Sequence, residues 1–198
     1  MPAHIEPRWL GCKCVVVATG PSLTNAAAKA CNGWPTIAVN DAYRLLPEAD
    51  VLYSGDRHWW RYHGSVPSFR GERWAGDSVA SMADELGLNI VPVVDEPGFS
   101  FQPGVLHSGG NSGFQAVNLA IQFGATKIVL IGFDMHGGHF FGDHAFRGTG
   151  VRSPFEQFIW CFEHAAAGLP EHITVVNCTP GSALKCFRHS ELDLELAA

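Results

Sequence analysis

The stretch VVVATGPSLTNAAAKA, Val15 to Ala30, sets the architecture expected for this chain. Its β-branched run favours a buried strand. Gly20, Pro21 and Ser22 predict a tight turn, and the alanine-rich segment after them favours a helix. This arrangement can bring backbone N–H groups against an anion. The turn matches neither G-x-G-x-x-G nor G-x-x-x-x-G-K-[ST], so the rest of the chain has to indicate the ligand.

Strand-like and helix-like segments alternate outward from this unit. The alternation predicts a Rossmann-like α/β fold, a doubly wound, mostly parallel sheet with helices on both faces. Pro92 predicts that the strand LNIVPVV lies at an edge or is interrupted. GDSVASMADELG predicts a helix capped by Asp77. Without an internal repeat or linker, we expect one nucleotide-binding domain over residues 1–198, with a lid-like loop over 135–153.

The composition argues against several classes of protein. Of 198 residues, 46% are hydrophobic, enough for a sizeable core. The net charge of −6 and the lack of a Lys/Arg run argue against a nucleic-acid partner. No apolar run reaches the roughly 18 residues of a membrane span, and no signal peptide is evident. We expect a cytoplasmic protein with reduced cysteines; the sequence leaves a homo-oligomer open.

Small, polar or glycine residues follow nearly every predicted strand. Ligands of parallel α/β sheets bind beyond the carboxyl ends of the strands, so these positions predict the site. They are Thr19 to Ser22, Asn40 and Asp41, Ser54 to Asp56, the helix start from Ser108 to Gly113, Asp134 with the loop to Ser153, and Asn177 to Ser182. Backbone N–H groups at two helix starts predict an anion site that needs no lysine.

Four of these motifs, in order, resemble a known superfamily. They are ATGPSL, VND, SGD and SGGNSGFQAVNLAIQFGATKIVLIGFDM. The superfamily contains the bacterial sialyltransferases of glycosyltransferase family 42, the archaeal-type 6-hydroxymethylpterin diphosphokinases and uncharacterised phage and bacterial proteins. The resemblance covers residues 13–135 and implies a nucleotide site. In the sialyltransferases the G-P-S-L turn and the S-G helix start hold the phosphate and ribose of a cytidine monophosphate donor.

The resemblance implies a set of nucleotide-binding residues in this chain. By motif they are Gly20, Pro21, Ser22, Asn40, Ser112 and Gly113, and we add Thr19, Asp56 and Asn111 from the same strand ends and helix start. The chain departs from the sialyltransferases after its G-F-D strand. Thr149 and Gly150 stand near the position of the family's general-base histidine, and no tyrosine follows Tyr62. This departure argues against sialyl transfer to a galactoside.

The loop FDMHGGHFFGDHAFRGTGVRS is the candidate for the chemistry. The catalytic residues expected from it are His139 or His144 as general base, Asp134, and Arg147 or Arg152 for the leaving phosphate. His136, His139, Asp143 and His144 are an alternative set of divalent-metal ligands, for Mg²⁺ or Mn²⁺. The base hypothesis needs no cofactor. A solvated loop without a chemical role is the third interpretation.

The aromatic group DRHWWRYH follows the third predicted strand. Trp59, Trp60 and Tyr62 suggest a stacking wall for a base or sugar. The alternative is an amphipathic helix that buries one tryptophan and exposes the other.

Three functions fit these observations. The first is a transferase, most simply a glycosyltransferase that moves a sugar from a nucleotide sugar to a small-molecule or glycan acceptor. The second is ATP-dependent pyrophosphoryl transfer to a pterin-like acceptor, with Asp56, Asp134 and Mg²⁺ organising the phosphates. The third is a protein that binds or sequesters a nucleotide without catalysis.

Overall fold

A computed structural model describes residues 3–146 and 153–197. The strands are β1 (Lys13–Val17), β2 (Thr36–Val39), β3 (Val51–Tyr53), β4 (Glu72–Gly76), β5 (Asn89–Val91), β6 (Val93–Val94), β7 (Leu106–His107), β8 (Lys127–Ile131), β9 (Thr174–Asn177) and β10 (Arg188–His189). The helices are α1 (Asn25–Ala30), α2 (Arg57–His63), α3 (Ala83–Leu86), α4 (Ser112–Gln122), α5 (Phe155–Ala167) and α6 (Leu192–Ala197), with 3-10 helices over Asn40–Arg44 and Asp77–Met82.

Eight of these strands form one parallel sheet in the order β10-β9-β8-β1-β2-β3-β4-β5. β1 pairs with β2 on one side and with β8 on the other. The chain runs outward from β1 to β5 and then returns to β8, so the strand order reverses between β1 and β8. The predicted Rossmann-like α/β fold is confirmed, and the reversal point is where such sheets bind ligands.

Side chains alternate along β1 between two hydrophobic clusters, one on each face of the sheet. Cys14 and Val16 belong to the cluster that contains α4 and α5. Val15 and Val17 belong to the cluster that receives α1, α2 and α6. This double burial explains why the strand is a continuous apolar run. It confirms the prediction of helices on both faces.

Two sequence expectations about secondary structure need correction. The segment after Asp77 is a 3-10 helix that becomes α-helical only over α3, and no side chain caps it. β4, β7 and β10 were not expected, because ERWAG, LH and RH lack a hydrophobic run. The interruption expected at Pro92 is confirmed, since it separates the edge strand β5 from β6.

The structure corrects the expectation that α2 buries one tryptophan and exposes the other. Trp59 and Trp60 are 1% and 0% exposed. Each indole N–H is satisfied inside the protein, Trp59 by the Asp41 carboxylate at 2.8 Å and Trp60 by the Ser54 carbonyl at 2.9 Å. Tyr62 alone of the three is exposed. The three rings therefore form no common stacking wall.

Two further findings concern the described residues. None of their helices is sufficiently long and apolar to cross a bilayer. The cysteines form no disulfide. Burial raises the pKa of the Cys31 thiol to about 12, which makes that side chain an unreactive apolar group.

The acidic residues near the C-terminus form α6, and one buried carboxylate anchors this helix. Glu195 on α6 lies 2.9 Å from Lys127 Nζ and 2.8 Å from Arg188 Nη2. Hydrogen bonds from Ser190, Lys127 and Arg188 lower the pKa of Glu195 to about 2. The last helix is thereby attached to β8 and β10.

We predict that Glu195→Gln lowers the free energy of unfolding in a pH-dependent way. A carboxylate whose pKa is depressed on folding contributes stability above its unfolded value, up to about 3 kcal/mol here, and loses it as pH falls towards 2. Denaturant titrations of both proteins between pH 7 and pH 2 should therefore converge at low pH. Glu191→Gln, at an exposed position just before the helix, is the control. A pH-independent difference would contradict the assignment.

Candidate functional site

A cleft with a volume of about 510 Å³ opens at the carboxyl ends of β1, β2, β3 and β8. The predicted site residues that line it are Thr19, Gly20, Asn40, Asp56, Asn111, Ser112, Gly113, Asp134, His136, His139 and His144. Pro21, Ser22 and Asp143 are not part of its lining. Arg147 and Arg152 lie outside the described residues. The fold thus gathers strand ends that are far apart in sequence.

Asp134 and Ser22 bind each other across the reversal point of the sheet. Ser22 donates its backbone N–H to Asp134 Oδ1 (3.1 Å) and its hydroxyl to Oδ2 (2.9 Å). Asp134 is 2% exposed, so its charge is stabilised by these two donors rather than by water. The expectation was that Ser22 would hold a phosphate and that Asp134 would take part in catalysis. In this structure the two groups satisfy each other.

Gly20 is required by this same contact. A side chain at Gly20 would collide with the Asp134 carboxylate and would lie 2.6 Å from the Gly132 carbonyl oxygen. The Gly20 N–H donates to that same carbonyl at 2.8 Å. Close packing of the two strand ends is therefore sufficient to explain the glycine, whether or not an anion also approaches it.

The start of α4 forms another wall of the cleft. Asn111 caps the helix by accepting the Phe114 N–H at 2.8 Å. The Ser112 hydroxyl accepts the Gly55 N–H at 3.0 Å, which holds the end of β3 against the helix. Close packing also accounts for Gly113, because a Cβ there would lie 3.0 Å from the Phe133 ring.

Asn40 carries two signs of a functional position. Its φ is 49°, a left-handed conformation that asparagine tolerates better than most residues. Its Oδ1 atom is buried and has no hydrogen-bond partner. Buried acceptors are nearly always satisfied in proteins. A donor supplied by a ligand would satisfy this one.

Arg57 was missed by sequence reasoning. Among the residues that the structure describes, it is the only Lys or Arg that lines the cleft. Its Nη2 donates to the Ser81 hydroxyl at 3.1 Å, and its Nε is buried without a partner. Its position directly after the SGD strand end could have indicated it. The segment was instead interpreted from its aromatic residues.

The loop that follows β8 and contains His136, His139 and His144, called here the histidine loop, is attached to the cleft at Thr19. The Thr19 hydroxyl and His139 Nδ1 are hydrogen-bonded at 2.9 Å. The Phe140 N–H donates to the Thr19 carbonyl at 3.0 Å. Phe141 stacks on His139 with ring centroids 5.0 Å apart, and Phe146 packs on His144 at 4.9 Å. The loop therefore has aromatic anchors that its high glycine content does not suggest.

The alternative metal ligands do not converge. Within residues 3–146 and 153–197, no three His, Cys, Asp or Glu side chains form a group that could hold a metal ion. His136 Nε2 lies 3.3 Å from the Gly181 carbonyl, on the turn after β9. His144 lies instead beside Asp41, and Asp143 is exposed. The four residues thus form no common ligand cluster.

A second cavity, of about 430 Å³, lies on the other side of the Ser22–Asp134 contact. Ser22, Leu23 and Thr24 line it together with the turn after β9. Gly132 is shared by the two cavities. The contact between β1 and β8 therefore forms the partition between them.

We predict that Gly20→Ala destabilises the protein by about 1–3 kcal/mol, because overpacking forces the ends of β1 and β8 apart. Chemical denaturation measures the loss. Gly138→Ala is the matched control, since Gly138 also lines the cleft but a Cβ there meets nothing within 4 Å. Equal stability of Gly20→Ala and the unaltered protein would show that the two strand ends are not closely packed.

Two solved glycosyltransferase structures share this fold. MAf glycosyltransferase from Magnetospirillum magneticum AMB-1 matches with a TM-score of 0.70 and 14% identity, over 98% of this chain and 35% of that chain. The sialyltransferase CstII from Campylobacter jejuni, in complex with a substrate analogue, cytidine-5'-monophosphate, matches with a TM-score of 0.50 and 14% identity, over 89% and 84%. No protein-family model and no curated protein matches the sequence. The chain thus has a glycosyltransferase-like α/β fold and spans about a third of the first of these two proteins.

Proposed function

We propose that this protein binds a nucleotide sugar in the 510 Å³ cleft and transfers the sugar to a hydroxyl group of an acceptor. The observation that carries the proposal is the pair of buried, unsatisfied polar atoms on the cleft's lining. Asn40 Oδ1 is an acceptor and Arg57 Nε is a donor, and neither has a partner. A nucleotide offers the complementary groups, N–H or O–H on its base and ribose and oxygens on its phosphate.

The phosphate is proposed to lie between Arg57 and the start of α4. The Ser112 hydroxyl holds Gly55 at 3.0 Å, which brings the beginning of α2, with Arg57, beside the beginning of α4. The first N–H groups of a helix have no partner inside it, and the helix dipole favours an anion there. A guanidinium adds the full positive charge that backbone groups lack.

The carboxylates of the cleft are engaged with the protein. Asp134 holds Ser22. Asp56 caps α2 by accepting the His58 N–H at 2.8 Å. The groups proposed to bind an anion in the cleft are therefore Arg57 and the start of α4. The proposed general base is one of the loop histidines, His139 or His144.

A ligand panel tests this proposal. Calorimetric titration with CMP, UMP, AMP and GMP, each with and without Mg²⁺ or Mn²⁺, should find one base that binds well above the others. Nucleotide release from the matching nucleotide sugar, with and without hydroxyl acceptors, then tests transfer. Transfer from ATP to a pterin would instead support the pyrophosphoryl alternative, and binding without turnover the non-catalytic one. Failure of all four nucleotides to bind would refute the proposal.

Substitution of Arg57 sharpens the test. We predict that Arg57→Gln weakens nucleotide affinity about 10- to 100-fold, the cost of one charge-assisted contact. Arg61→Gln is the matched control, because Arg61 lies one turn further along the same helix, is exposed and does not line the cleft. The same titration measures both variants. Equal affinities of the two would place the phosphate elsewhere.

A further inference from the structure

Asp41 is a buried carboxylate that the nucleotide site does not explain. Its side chain is 1% exposed, and burial of a charge is costly unless it is paired. The Trp59 indole donates to Oδ2 at 2.8 Å. The Arg44 guanidinium lies 2.6 Å from Oδ1 and pairs with its charge. The carboxylate is therefore held firmly, and each of its oxygens can accept more than one donor.

Two imidazoles lie against this carboxylate. His63 Nε2 is 3.6 Å from Oδ1, and His144 Nδ1 is 3.6 Å from Oδ2. Burial lowers the pKa of His63, Asp41 opposes the shift, and Arg44 adds to it. His63 also stacks on Trp59 with ring centroids 4.3 Å apart. His63 does not line the cleft, whereas His144 does, so His144 is the imidazole that can link Asp41 to a ligand.

His144 connects Asp41 to the cleft. Its side chain is 10% exposed and lines the cleft. Its ring packs on His139 and Phe141, with centroids 4.6 Å and 5.0 Å away. With Nδ1 on the Asp41 side, Nε2 is the nitrogen on the opposite side of the ring. A buried carboxylate, an oriented imidazole and a ligand cavity thus follow one another in space.

We propose that Asp41 is the positioning residue that makes His144 the general base of the glycosyl transfer, an inference that rests on the function proposed above. The carboxylate selects the tautomer with the proton on Nδ1, leaves Nε2 basic and stabilises the imidazolium. The acceptor hydroxyl gives its proton to Nε2 as its oxygen bonds to the sugar's anomeric carbon. The bond from that carbon to the phosphate oxygen breaks, and the nucleotide leaves with the electron pair.

The charged and titratable neighbours of the Asp41–His144 pair affect how readily His144 is protonated. The 3-10 helix over Asn40–Arg44 contributes Asp41, Tyr43 and Arg44, α2 contributes His63, and the histidine loop contributes His139. Arg44 opposes protonation of His144, whereas Asp41, 3.6 Å from Nδ1, favours it. Removal of the Asp41 charge therefore removes a group that stabilises the imidazolium.

We predict that Asp41→Asn lowers kcat about 10- to 100-fold and leaves nucleotide affinity unchanged. The acidic limb of the kcat profile should also move to lower pH, because His144 loses the charge that stabilises its protonated form. His144→Gln should abolish the limb, and the double variant should be no worse than His144→Gln. His58→Gln is the control, since His58 lies at the same 3.6 Å from Asp56 but is 75% exposed. A uniform loss of activity with an unmoved limb would mean a purely structural role and overturn the proposal.

A measurement on the unaltered protein separates this inference from the proposed function. In ¹⁵N-labelled protein, NMR of the histidine rings reports which nitrogen of neutral His144 carries the proton. We expect the proton on Nδ1. A proton on Nε2 would overturn the positioning role even if glycosyl transfer is observed. Nδ1–H in a protein that transfers no sugar would keep the Asp41–His144 pair and refute only the function. This readout stands even where Asp41→Asn does not fold.

Discussion

The contact between Asp134 and Ser22 is the constraint on which the site depends. It joins the ends of β1 and β8, the two neighbouring strands between which the sheet reverses its order. Because the carboxylate lies against the turn, position 20 has no room for a side chain. The same turn presents Thr19, whose carbonyl and hydroxyl hold the histidine loop. The Asp134–Ser22 contact thus lies between the cleft and the second cavity, and the turn that it holds carries Thr19, to which the loop is bonded.

The residues that line the cleft include strained backbone and unsatisfied polar atoms, both of which are rare in a protein core. Asn40 and Met135 have φ values of 49° and 56°, and both follow strands of the sheet. Asn40 and Arg57 each keep a buried polar atom without a partner. Strained backbone and unsatisfied groups cost free energy, and they persist where the surrounding structure holds them in place and a ligand can compensate. Their clustering at one end of the sheet is what distinguishes this cleft from an ordinary surface groove.

The fold was predictable because hydrophobic pattern determines it. The apolar runs of β1 and β8 and the nearly all-buried α4 require two covered faces, and glycines mark their ends. β4 was not predictable, because its residues lie beside β3 only through tertiary pairing. The roles of polar residues were harder to predict than the strands. Asp41 lies within the VND motif and Arg57 directly follows the SGD motif, yet only the folded chain shows that Asp41 is buried among imidazoles and that Arg57 lines the cleft.

This difference also explains why the motifs predict the fold better than the reaction. GPSL and GFD form one structural unit, since the aspartate of the second binds the serine of the first. A chain that builds this strand junction needs both, whatever it catalyses. The chemistry that we propose depends instead on side chains that project around the junction: an amide at Asn40, a guanidinium at Arg57 and an imidazole at His144. Because these groups come from different strand ends and loops, they can change without disturbing the sheet. Under the proposed function, specificity for donor and acceptor rests on these side chains and not on the glycine turn.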